Sequence, residues 1–161
     1  VSMVLLPKDK VSKITIIPTT KGAGGYTLTI PEDKNYHKMD YLKNKIKVLL
    51  GGRAAEEIIF GKDNISTGAE NDISQATDIA LKMISEYGMG ETLGLLKLSS
   101  VGSLYGSYGN PVIEECKKLL DNLYEETLEL LRENKDILDS LALELLEKET
   151  LYDTELEKFV S

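Results

Sequence analysis

The sequence predicts a mainly α-helical fold with a small two-stranded β element, in a single domain of 161 residues. Apolar residues repeat at helical spacing through most of residues 40–160, and β-branched residues alternate only near the N-terminus. Hydrophobic residues make up 42% of the chain and charged residues 29%. A chain of this length and composition buries a core that needs no disulfide for stability.

Two short segments near the N-terminus have the pattern of strands. Residues 11–17 are rich in β-branched side chains and end at Pro18, and residues 26–30 alternate before Pro31. The glycine-rich segment 21–25 between them precedes a strand and lacks a lysine after it, so it is not a phosphate-binding loop. It is predicted to lead into an edge strand that can accept an extended peptide by strand addition.

The apolar period changes from two to 3.6 at about Asp40 and predicts a helix that ends at Gly61. Gly51-Gly52 lies inside this helix, where each glycine costs about 1 kcal/mol relative to alanine. Close approach of another backbone is the simplest reason for the pair.

A second helix is predicted over about 67–87. Thr67 and Glu70 have the spacing of a capping box, and Gly88 stands where a left-handed terminating residue belongs. Residues 88–109 have no steady period and are predicted to form an irregular, mobile loop.

The apolar pattern of the C-terminal section predicts helices that pack as antiparallel neighbours. Asn110-Pro111 is predicted to start a helix that runs to about Glu133, a second helix covers about 137–146, and Thr154 with Glu157 caps a short final turn. The single domain is therefore divided into three segments. These are a strand-containing edge segment (1–36), a helical core with the mobile loop (37–109) and C-terminal helices (110–161).

The charge is acidic and uneven. The net charge is −8, with ten basic and six acidic residues in 1–60 against nine and twenty-one in 61–161, which disfavours a nucleic acid partner. A lone cysteine, Cys116, can form neither a disulfide framework nor a common zinc cage. No apolar run approaches the roughly 18 residues that span a bilayer.

Residue type alone leaves the candidate functional residues with ordinary explanations. His37, the only histidine, lies in a polar stretch and reads as a solvated residue. Asp72 lies at the edge of an apolar helical stripe, where a carboxylate either reaches water or meets a partner, and residue type alone favours water. Glu56 lies three residues after Arg53, and a local ion pair is its simplest role.

The motifs around these residues resemble a known family. Residues 49–61, with the sequence LLGGRAAEEIIFG, are followed by STGAENDI at 66–73. Together they closely resemble the peptidase domain of the FtsH family of membrane-anchored AAA+ zinc metalloproteases. Segments 11–18, 24–27 and 87–89 and two C-terminal stretches, 131–134 and 146–151, extend the resemblance over nearly the whole chain.

The resemblance implies a role for several residues. The family holds zinc through two histidines of a His-Glu-x-x-His helix and through an aspartate that matches Asp72. Glu56 becomes a candidate for orienting a zinc ligand. The segment formed by Gly24, Gly25, Tyr26 and Thr27 resembles the edge strand that binds unfolded polypeptide substrates.

The His-Glu-x-x-His motif is absent, and in the family it lies just ahead of a stretch like residues 1–7. The chain therefore looks truncated after that motif and is predicted to be free of zinc and inactive as it stands. For the parent protein the resemblance implies ATP hydrolysis by a separate ATPase domain, a homo-hexamer, degradation of misfolded or membrane proteins, and a membrane anchor with this domain on the cytoplasmic side. The fragment itself is expected to be soluble, without direct membrane contact.

A second interpretation belongs to a different functional class. A naturally shortened, catalytically dead homologue, acting as a helical scaffold or assembly module, has the same predicted fold. The sequence upstream of Val1 would distinguish the two.

Overall fold

The computed structural model describes residues 1–20, 22, 24–101 and 105–160, with the backbone alone for 105–108. The chain divides into two compact units, one formed by Val1–Tyr36 with Leu130–Ser161 and the other by His37–Glu129. The predicted fold class, mainly α-helical with a small sheet, is confirmed. The helices are α1 (Ser2–Leu5), α2 (Met39–Phe60), α3 (Glu70–Ser85), α4 (Tyr105–Glu133), α5 (Lys135–Lys148) and α6 (Asp153–Leu156).

The first unit contains an antiparallel sheet of three strands within the described residues. These are β1 (Lys10–Thr15), β2 (Tyr26–Ile30) and β3 (Thr150–Tyr152), in the order β2-β1-β3. The sequence predicted the first two. The third strand was missed because three residues are too short to show a period, and it forms because Leu151 pairs with Ile14 and is fully buried.

The core of this unit lies beneath the sheet, where buried residues of strands and C-terminal helices meet. They are Val11, Leu145, Leu151 and Leu156. The predicted cap of the final turn is wrong in its residues, since α6 begins at Asp153. Glu155 Oε2 accepts from the Tyr152 amide at 3.1 Å, in the position that was expected for Glu157.

The second unit packs α2, α3 and the N-terminal part of α4 around one apolar core. Ala76 and Ala80 on α3 are fully buried, and their small side chains let α2 approach α3 closely. The core residues are Ile46, Leu50, Ala76, Ala80, Met83, Ile84, Leu93, Leu98, Val112, Cys116 and Leu123. This packing fixes the position of both helices that carry the candidate zinc-site residues.

The α2 helix ends where the sequence predicted. Phe60 is its last residue, and Gly61 follows with a φ of 83° that favours glycine. The explanation offered for the internal glycine pair is wrong at Gly52, because a Cβ placed there would meet nothing within 4 Å.

The α3 and α4 helices begin at residues other than those predicted. A 3₁₀ turn occupies Thr67–Ala69 and α3 starts at Glu70. The α4 helix starts at Tyr105, so Pro111 lies inside it. Its first turns hold two glycines and a serine, whose low helix propensity made them read as a loop. Part of the predicted loop 88–109, residues 102–104, lies outside the described residues.

Candidate zinc-ligand and substrate sites

Asp72 lies in the first turn of α3 and is partly buried. It forms no hydrogen bond or ion pair with any residue that the structure describes, and burial raises the pKa of its carboxyl group. A helix that began at Thr67, as predicted, would put Asp72 beyond the first turn, but α3 begins at Glu70. The later start means that the positive end of the helix dipole also acts on this carboxylate.

Glu56 binds the segment that leads into α3. Its Oε1 accepts a hydrogen bond from Ser66 Oγ at 2.6 Å and its Oε2 accepts from the Ser66 amide at 3.1 Å. Ser66 Oγ in turn accepts from the Gly68 amide at 3.1 Å. These bonds connect the C-terminal half of α2 to the turn immediately before the helix that carries Asp72.

The pKa of Glu56 agrees with its hydrogen bonds to Ser66. The hydrogen bond from the Ser66 hydroxyl, followed by that from its amide, lowers the pKa of Glu56 below its usual range. Arg53 contributes only a weaker charge interaction. The ion pair between Glu56 and Arg53 that residue type favoured is therefore not the main contact of this carboxylate.

Two residues of this anchor were not singled out by sequence reasoning. Ser66 caps the turn, and the predicted cap, Thr67, lies one position later. Serine is as good a capping residue as threonine, so residue type did not distinguish the two positions. Gly68 leaves room for the anchor, because a Cβ there would lie 3.2 Å from Ser66 Oγ and 3.9 Å from Glu56 Oε1.

Glu57 has a different partner. Its Oε2 accepts a hydrogen bond from the Tyr124 hydroxyl at 2.6 Å, which links α2 to α4. Burial, and then the bond to Glu57, raise the pKa of Tyr124. Adjacent helical residues point about 100° apart, so the two neighbouring glutamates serve two different contacts.

The predicted substrate segment leads into β2 in the other compact unit. At Gly25 a Cβ would lie 2.5 Å from the Thr15 carbonyl oxygen, so the close approach of β1 requires glycine there. Gly24 has open space around it, and Tyr26 and Thr27 begin β2 with exposed side chains. Because β2 is an outer strand of the sheet, one of its edges has no strand partner within the described residues.

The described residues do not form a complete metal site. No three His, Cys, Asp or Glu side chains among them come together in a metal-binding arrangement. His37 is exposed and its ring stacks on Tyr41 with centroids 4.5 Å apart. Among the candidate residues, Asp72 has free carboxylate oxygens of the kind that zinc binds, whereas those of Glu56 accept hydrogen bonds from Ser66. No helix in the described part of the chain has the length and apolar character needed to cross a membrane.

Comparison with known proteins defines the class to which this fold and these residues belong. The chain belongs to peptidase family M41, whose sequence model matches residues 1–159. The resemblance to the FtsH metalloproteases is thereby confirmed.

Individual relatives are similar in sequence to this chain over almost its whole length. It is 43% identical to the ATP-dependent zinc metalloprotease FtsH 1 of Alkaliphilus metalliredigens over 157 residues, covering 98% of this chain and 27% of the relative. The corresponding enzyme of Lachnoclostridium phytofermentans is 40% identical, with 96% and 26% covered. That of Thermotoga maritima is 37% identical, with 100% and 28% covered. The chain thus spans about a quarter of the length of these relatives.

Proposed function

We propose that the chain contributes two parts of a zinc-dependent endopeptidase site: a carboxylate ligand to the metal, Asp72, and an edge strand for polypeptide substrates, β2. The observation that carries the proposal is the placement of Asp72. A partly buried carboxylate with no described partner, at the start of a helix, is available to a cation. The family, a peptidase family, indicates the reaction class, and the names of the relatives, zinc metalloproteases, indicate the cation.

The other residues of the second unit support Asp72. Glu56 holds Ser66 and so fixes the turn from which α3 starts, which makes Glu56 a positioning residue. Glu56 would thus orient the ligand Asp72 indirectly, through Ser66, which lies six residues before Asp72 in the chain. When bound, zinc acidifies a water molecule for attack on a peptide bond. The described residues hold a single candidate ligand, so no chemical step is assigned to them.

The substrate part of the proposal concerns Gly24, Gly25, Tyr26 and Thr27. Gly25 lets β2 start against the backbone of β1, and the opposite edge of β2 keeps its backbone groups available. An unfolded polypeptide can add to that edge as a further strand, held by main-chain hydrogen bonds independent of its sequence.

The proposal extends to the protein that would contain this chain. The names of its relatives describe ATP-dependent zinc metalloproteases. From the resemblance to the FtsH family we further propose that the protein is membrane-anchored, forms a homo-hexamer with this domain on the cytoplasmic side, and degrades misfolded or membrane proteins. The 161 residues by themselves are proposed to be free of zinc and inactive, because one carboxylate cannot retain the metal at ordinary concentrations.

The test is a chimera in which this chain replaces the matching region of the Alkaliphilus metalliredigens relative. We expect chelator-sensitive cleavage of casein by the chimera and none by the chain alone. Asp72→Asn should abolish cleavage, whereas Asp78→Asn, at an exposed acid of the same helix, should preserve it. Full activity of the Asp72→Asn chimera would overturn the proposal. If the chimera with the unsubstituted chain folds but does not cleave casein, the result would favour the interpretation as a helical scaffold.

A further inference from the structure

One face of the sheet is exposed and largely apolar. Ile14 and Leu151 lie on the face that packs against the core, so the residues that alternate with them lie on the outer face. Lys13 is on this outer face, directly opposite Leu28 on β2 and Tyr152 on β3. The large exposed side chains of the outer face are Tyr26, Leu28, Ile30 and Tyr152, with exposed fractions of 38, 47, 53 and 56%.

Lys13 makes this outer face locally cationic in an acidic chain. Its Nζ lies 4.9 Å from the centre of the Tyr26 ring, and it forms no ion pair with a carboxylate of the described residues. Lys10, by contrast, pairs with Asp153 at 2.7 Å. The residues of the three strands that share the face with Lys13 include no acid. They are Lys10, Thr15, Tyr26, Leu28, Ile30, Thr150 and Tyr152.

The β2 strand also lacks the features that usually protect an edge. It contains no charged residue and no proline, and three of its five residues form the exposed apolar row. A strand that adds to its free edge places every second side chain directly opposite Tyr26, Leu28 and Ile30. Lys13 is then about 10 Å from the added backbone, a distance that a lysine and a glutamate side chain span together.

We propose that the outer face of the sheet selects the polypeptide that pairs with β2. The preferred segment is extended, with apolar side chains at alternate positions and an acidic side chain among them. The apolar row supplies affinity, and Lys13 favours a carboxylate over an ammonium group. This inference rests on the proposed function, in which β2 accepts a substrate strand.

The test measures binding of fluorescein-labelled octapeptides to the 161-residue chain by fluorescence polarisation. The reference peptide alternates valine with threonine and carries glutamate in place of one of the two inner valines. A second peptide has lysine in place of the glutamate. A third has the composition of the reference with its valines adjacent, and a fourth is the reference with three consecutive central amides N-methylated, which removes the donors needed for strand pairing.

We expect the reference to bind about ten-fold tighter than the peptide with adjacent valines, because adjacent valines cannot all lie at alternate positions opposite Tyr26, Leu28 and Ile30. It should bind roughly three-fold tighter than the lysine peptide. Leu28→Ser should weaken binding of the reference about five-fold, and Lys13→Gln should remove the difference between glutamate and lysine. Leu143→Ser is the matched control, because Leu143 is an exposed leucine on α5, and it should leave binding unchanged.

The outcomes separate the inference from the function on which it rests. Equal binding of the first three peptides, lost on N-methylation, would keep strand addition and overturn selection by the outer face. Binding that survives N-methylation would contradict strand addition itself. Failure of every peptide to bind would overturn both.

Discussion

Glu56 Oε1 lies 2.6 Å from Ser66 Oγ, and this contact joins two helices of the second unit through a residue that precedes α3. The same carboxylate accepts the Ser66 amide, and the Ser66 hydroxyl accepts the Gly68 amide. The start of the Asp72 helix is therefore held by a carboxylate from α2, and the predicted box between Thr67 and Glu70 is replaced by this arrangement.

Replacement of Glu56 tests this anchor. We expect Glu56→Ala to speed hydrogen exchange at the amides of Ser66 and Gly68 by roughly ten-fold, because their acceptors are lost or released. Amide exchange followed by NMR measures the effect. Glu70→Ala is the control, since Glu70 has no part in the anchor. Faster exchange in Glu70→Ala but not in Glu56→Ala would contradict the anchor and support the capping box predicted between Thr67 and Glu70.

The anchor should also depend on pH. The Ser66 hydroxyl and amide bonds lower the pKa of Glu56 in the folded chain. A carboxylate with a lowered pKa contributes stability that is present above its unfolded value and is lost as the pH falls through its folded value. The Ser66 amide chemical shift should therefore titrate with a midpoint below the ordinary glutamate value of about 4.3. A midpoint above that value would contradict the assigned bonds.

Two glycines of the second unit should respond oppositely to alanine. Gly52 is exposed inside α2 with nothing within 4 Å of an added Cβ, so Gly52→Ala should stabilise the chain by about 0.5–1 kcal/mol. At Gly90 an added Cβ would lie 2.8 Å from Glu115 Oε1 and 3.0 Å from Ile84 Cγ2.

Glu115 cannot move freely away from such a Cβ, because it accepts the amides of Glu91 and Thr92 at 2.6 and 2.9 Å. Gly90→Ala should therefore destabilise the chain by about 1–3 kcal/mol. Urea denaturation of the two variants measures both effects, and a gain in stability from Gly90→Ala would refute the crowding.

The hydroxyl of Tyr124 should contribute measurably to the packing of α2 on α4. Tyr124→Phe removes its hydrogen bond to Glu57 and should lower the free energy of unfolding by about 1 kcal/mol. Tyr87→Phe, at an exposed tyrosine, is the matched control and should have no effect. Equal unfolding midpoints for the two variants would show that the hydroxyl contributes nothing.

The sequence predicted most of the local structure because periodicity and termination are local signals. The end of α2 at Phe60 followed from Gly61, and β1 and β2 followed from alternating β-branched residues. The strand β3 was missed since its formation depends on burial of Leu151 opposite Ile14, a contact between residues distant in the chain. Such a contact leaves no periodic trace in three residues.

The candidate site was predictable in part. Asp72 and Glu56 were found through family motifs, since residue type alone favoured solvent for one and Arg53 for the other. The partner of Glu56 was not predictable from helix spacing, because Ser66 lies ten residues along, past the end of α2. The roles of Gly24 to Thr27, the division of the domain into three segments and the metal-free state of the chain remain predictions.

The most direct test of the central claim is the zinc content of the Alkaliphilus chimera, measured by atomic absorption after dialysis against metal-free buffer. With Asp72 as a ligand, we expect about one zinc per chain in the chimera and in Asp78→Asn, and less than about a tenth of that in Asp72→Asn. A full equivalent of zinc in a folded Asp72→Asn chimera would contradict the assignment of Asp72 to the metal.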